Sequence, residues 1–221
     1  MSTVNPLIAA IARLASGRTA LPLCLLAAVG CAVGFATAAA AVGPESHHVR
    51  EKSDFGMGLD IGGGAAVAVL NGQKNRDVKE PTVLMLLANL GWTVGDFSGA
   101  NGWYRGQFDG LLEFQYLHNF HNTNGNFYGG GLGLRYRFTA PSWVTPYAQI
   151  DLGVGGLDYN LRDQSDGFSL TAGAALGARW PIGDRFGITT SARWSHISNA
   201  GLRRPNNGID HFLGMVGIDF H

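Results

Sequence analysis

Over residues 167–180 two kinds of side chain alternate without a break. Phe168, Leu170, Ala172, Ala174, Leu176, Ala178 and Trp180 form one set, and Ser169, Thr171, Gly173, Ala175, Gly177 and Arg179 the other. A period of two is the signature of a β-strand with one apolar face. The run exceeds the ten or so residues that a tilted strand needs to cross a membrane.

The same pattern returns along the chain. It spans 55–66, 82–92, 107–118, 127–138, 144–154, 186–198 and 209–220, which with 167–180 makes eight stretches. Glycine is frequent, 33 in the 221-residue chain, and recurs inside these runs, which disfavours helices and suits the bends of a small barrel. Lipid offers no partner for an open sheet edge, so strands that cross it must close on themselves. The expected fold is therefore all-β, an eight-stranded antiparallel transmembrane β-barrel. Glu113, Arg135, Arg137, Asp151, Arg179 and Arg193 fall on the inward face in both signs. In a barrel this narrow they are expected to pair and fill the interior rather than to catalyse.

Connection lengths give the orientation. Residues 139–142 and 181–184 read as tight periplasmic turns, and 71–81, 119–126, 160–166 and 199–208 as longer outer loops. The stretch 93–106 is longer than a periplasmic turn needs. Tyr128, Phe168 and Trp194 would mark an outer aromatic girdle, and Trp92, Phe138, Trp180 and Phe220 an inner one.

Residues 1–42 read as a cleaved signal peptide, with Arg13 and Arg18 ahead of an alanine-rich apolar stretch and small residues at 38–41. The barrel then occupies 43–221. Both cysteines, Cys24 and Cys31, lie in the leader, so the mature barrel has no thiol or disulfide chemistry. With 16 basic and 16 acidic side chains the chain lacks the basic excess of a nucleic-acid binder. His47, His48, His118 and His121 have no carboxylate or cysteine at ligand spacing and read as loop histidines, so no metal is expected.

Chemistry shows in the segment Trp194-Ser195-His196-Ile197-Ser198-Asn199-Ala200-Gly201. Continuing the lipid-facing parity of Ile188, Thr190, Ala192 and Trp194 brings His196 and Ser198 to the lipid side at the outer end of their strand. In the next stretch Asp210 shares the parity of Phe212, Val216, Ile218 and Phe220. Polar groups facing lipid are costly and usually functional. A serine, an imidazole and a carboxylate are the parts of nucleophilic acyl transfer, in which the base activates the hydroxyl and the acid orients the base. His196 and Ser198 stand about 7 Å apart along an extended strand, so their contact requires leaning side chains or a local bend. Asn199, with a nearby main-chain N–H, offers donors for an oxyanion.

The string His196-x-Ser198-Asn199-Ala200-Gly201, followed by Pro205-Asn206-x-Gly208-Ile209-Asp210, resembles the outer-membrane lipid A 3-O-deacylases, the PagL-like family. The likeness extends more loosely over the barrel, including 131–138 and 146–157. It implies Ser198 as nucleophile, His196 as base, Asp210 as the orienting acid, and Asn199 and Gly201 as the oxyanion hole. Better-known members carry glutamate where this chain has Asp210. The resemblance further implies a serine esterase of the Gram-negative outer membrane. It would remove the 3-O-linked acyl chain of lipid A at the outer leaflet, without cofactor, as a homodimer. Arg203 and Arg204, between the two site strands, are candidate contacts for the phosphates of lipopolysaccharide. The competing expectation is a non-catalytic small barrel with a structural or adhesive role.

Overall fold

The computed structural model describes residues 55–67, 82–97, 105–120, 125–138 and 143–220. The expected leader, the 71–81 loop, the 139–142 turn and His47, His48 and His121 lie outside the described residues. The described residues form eight strands: β1 (Phe55–Val67), β2 (Thr82–Phe97), β3 (Gly106–Asn119), β4 (Asn126–Phe138), β5 (Thr145–Asp158), β6 (Gly167–Ile182), β7 (Phe186–Ser198) and β8 (Ile209–Phe220). Each pairs antiparallel with the next, and β8 returns to β1 to close the barrel. No helix among the described residues is long and apolar enough to cross a membrane; the strands do so.

Part of the long 93–106 connection is strand. β2 continues past Trp92 through a bulge between Thr93 and Gly95 and stays paired with β3 as far as Phe97 and Gly106. A bulge inserts an unpaired residue and lets the ladder carry on beyond it.

Alternation sorts the side chains into two surfaces. Leu59, Leu132, Ile150, Leu152, Val154 and Val216 point outward and are exposed, Leu152 by 70%. An apolar belt around the outside of a closed barrel is the surface that a transmembrane barrel turns to lipid. Inside, the barrel has two tiers. Near the outer end Val83, Met85, Leu117, Phe127, Leu157, Tyr159, Ile197 and Ile209 pack into an apolar plug.

Toward the inner end the filling is ionic, as the sequence led us to expect. Arg137 grips Asp109 with two nitrogens at 2.5 and 2.8 Å, and Arg179 meets Asp219 at 2.5 Å. Arg193 bridges Asp151 at 2.7 Å and Glu113 at 3.4 Å. Arg135 donates to Gln149 at 2.9 Å and lies over the Tyr147 ring. Burying a charge without a partner costs several kcal/mol, about 3–5 when one member of a pair is removed. These contacts hold the interior closed and leave the outer rim of β7 and β8 on a firm support.

Candidate active site

β7 and β8 lie side by side, and their register sets His196 directly opposite Asp210. Both project on the lipid side. The imidazole Nδ1 is 3.0 Å from Asp210 Oδ1, and the His196 side chain keeps 24% of its surface exposed while Asp210 keeps 4%. By parity Asp210 belongs to the lipid face, yet its carboxylate is enclosed. The reason is local: Trp194, two residues before His196, also donates its indole Nε1–H to Asp210 Oδ1 at 3.0 Å. The indole and imidazole rings are stacked, with centroids 6.2 Å apart and planes 26° apart. With Nδ1 bonded to the carboxylate, the remaining ring nitrogen, Nε2, is left to act as a base.

Gly208 closes the other side of the imidazole. A Cβ at this position would lie 2.5 Å from His196 Cε1 and 3.0 Å from Nε2, and the backbone has φ of 72°. Both observations call for glycine.

Ser198 is the last residue of β7, half-buried and opposite Leu170 of β6. No hydrogen bond joins it to His196 in this structure, so register and parity bring the two to one face without closing the contact. The chain then turns sharply, with positive φ at Ala200 and Gly201.

Asn199 is fully buried within that turn. Its Nδ2 donates to Arg203 O at 3.0 Å, and its Oδ1 accepts from Gly201 N at 3.0 Å. Its own N–H donates to Asn206 Oδ1 at 2.9 Å. The two expected oxyanion donors are thus adjacent and bonded to each other. Arg203 and Arg204 are exposed on the loop, Arg203 donating to Asp166 O at 3.3 Å. His118 lies outside the site and contacts Asn126 Oδ1 at 2.8 Å.

The β5–β6 connection braces the loop from the side. Buried Gln164 accepts from Gly208 N at 2.9 Å, Ser165 N donates to Pro205 O at 2.9 Å, and Asn207 N donates to Asp163 O at 3.0 Å. Sequence reading missed Trp194, Gly208 and Gln164 as parts of the site. Trp194 shares the parity of His196, and Gly208 sits in the quoted string, so both left a trace. Gln164 is 32 residues from His196 in sequence, and the pairing of β6 with β7 sets its connection beside the β7–β8 loop.

An apolar groove of about 650 Å³ crosses the lipid face from Trp194 and Phe212, over Ala174, Ala192 and Ala148, toward Tyr136 and Phe108. Its small-residue floor and aromatic ends follow from the side chains those strands present outward.

The family model for lipid A 3-O-deacylase (PagL) matches residues 88–219, from β2 to the penultimate residue of β8. The chain belongs to the lipid A 3-O-deacylase family. Lipid A 3-O-deacylation in the Gram-negative outer membrane is the activity and the place that membership carries. Among solved structures the chain is similar to the outer membrane enzyme PagL, with 19% identity and a TM-score of 0.55 over 72% of this chain and 97% of that one. It is equally similar to Neisserial surface protein A (NspA), with 18% identity and a TM-score of 0.56 over 76% of this chain and 97% of that one. At these identities both likenesses speak to the barrel fold. No curated protein matches the chain at a significant level.

Proposed function

We propose that Ser198, His196 and Asp210 form the catalytic triad with which this lipid A 3-O-deacylase works as a serine esterase. The observation that carries this reading is the 3.0 Å contact between His196 Nδ1 and Asp210 Oδ1 at the outer rim of the lipid face. Asp210 fixes the tautomer in which Nε2 is the free base and stabilises the imidazolium that forms. His196 then takes the Ser198 hydroxyl proton as Oγ attacks the ester carbonyl, a motion that requires the two side chains to lean together. The tetrahedral intermediate collapses as His196 returns the proton to the departing sugar oxygen. Water, activated by the same imidazole, releases the fatty acid and restores Ser198.

The oxyanion falls to Asn199 and the Gly201 N–H. The present bond from Gly201 N to Asn199 Oδ1 holds this donor in the turn that follows Ser198, and on substrate entry the N–H exchanges that oxygen for the ester oxyanion. The hydrocarbon groove beginning at Trp194 gives the scissile acyl chain an apolar bed on the same face. Arg203 and Arg204, exposed on the outer loop, supply guanidinium groups to lipid A phosphates.

A non-catalytic structural or adhesive barrel would gain nothing from an enclosed carboxylate hydrogen-bonded to a partly exposed imidazole on its lipid side. The test is release of 3-hydroxy fatty acid from lipid A by the purified barrel in detergent. Activity that is present in the native enzyme and absent in Ser198→Ala supports the triad, and an active Ser198→Ala enzyme rejects it.

A further inference from the structure

We propose that Trp194 is a positioning residue that locks the Asp210–His196 pair and links its alignment to the filling of the apolar groove; this rests on the triad reading above. One oxygen, Asp210 Oδ1, accepts from both Trp194 Nε1 and His196 Nδ1, each at 3.0 Å. A carboxylate at the lipid boundary has little water to solvate it, and hydrogen bonds to an ionised acceptor are about twice as strong as neutral ones. The indole donor therefore fixes the carboxylate rotamer from one side while the imidazole engages it from the other. The indole also stacks on the imidazole, which restricts rotation of the catalytic ring. Trp194 forms the groove wall with Phe212 as well. An acyl chain lying in the groove packs against the indole and holds it over the pair.

An aromatic residue at a barrel girdle ordinarily turns its polar edge toward headgroups and water. Trp194 instead spends its only donor on a buried carboxylate. Aspartate is shorter than the glutamate of better-known relatives, and the second donor compensates by pinning it within reach of His196.

The experiment compares Trp194→Phe and Trp194→Ala with the native barrel, assayed on lipid A micelles and normalised to folded protein by heat-modifiable mobility. Trp194→Phe keeps an aromatic groove wall and loses the donor. Its kcat should fall between about tenfold and a hundredfold with KM unchanged. Trp194→Ala removes wall and donor, so KM should rise as well. In an Asp210→Asn background Trp194→Phe should add little, because residues acting through one carboxylate are not additive. A Trp194→Phe enzyme with native kcat, a loss confined to KM, or a full independent loss on top of Asp210→Asn would each overturn the proposal. Ser198→Ala run alongside separates the two levels. If it is inactive while Trp194→Phe has native kcat, only the role of Trp194 fails. If it is active, the triad itself fails and this proposal with it.

Discussion

His196 and Asp210 face each other across the β7–β8 ladder, fourteen residues apart in sequence, and one carboxylate oxygen meets the imidazole Nδ1 at 3.0 Å. Strand register alone creates this contact, since residues directly opposite on antiparallel strands bring their Cβ atoms within about 5 Å. The loop between them carries Asn199 and Gly201, so one hairpin holds every residue assigned to the chemistry.

Replacing Asp210 tests that contact. Asp210→Asn preserves shape but favours the wrong imidazole tautomer, and turnover should drop by up to about four orders of magnitude. Asp210→Glu keeps the charge but must fit an extra methylene into an enclosed site, so activity should be partly retained and stand well above that of Asn. Fatty-acid release from lipid A in detergent distinguishes the two, and near-native turnover in Asp210→Asn would leave a Ser198–His196 dyad.

Ser198→Ala and His196→Ala should each remove nearly all deacylation while leaving the barrel folded. A double variant should be little worse than either single one, because triad members act as a unit. Mass spectrometry of lipid A from cells expressing each variant reads the outcome directly.

Gly208→Ala should be more harmful than its size suggests. The added Cβ would sit 2.5 Å from His196 Cε1 at a backbone φ of 72°. The left-handed conformation costs about 1–2 kcal/mol, and displacing the base by even 1 Å lowers turnover by about a hundredfold. Native kcat in a correctly folded Gly208→Ala barrel would show that the ring has room the structure does not display.

Arg193→Met addresses the interior rather than the site. It leaves Glu113 and Asp151 without the guanidinium they share, in surroundings where all three side chains are at most 3% exposed. Stability in urea titration of the lipid-embedded barrel should fall by about 3–5 kcal/mol. Deacylation per folded molecule should remain close to native, since Arg193 points away from the lipid-side site.

Local patterning makes the barrel legible in the sequence. A period of two tells a residue which face it takes, and the eight runs supplied strand number and the inward charges that pair in the structure. The string from His196 to Asp210 also stands out in the sequence, because parity and a family resemblance both act on short stretches. Tertiary structure decided what lies between strands. The exact register of β7 on β8, the bulge after Thr93, the enclosure of Asp210 by Trp194 and the brace from Gln164 all depend on which side chains meet across neighbouring elements. Alternation assigns a side chain to a face but not to a partner, and a hydrogen bond forms or fails within a few tenths of an ångström. For that reason Ser198 could be placed on the face of His196 from sequence, while its separation from the imidazole became visible only in the closed barrel.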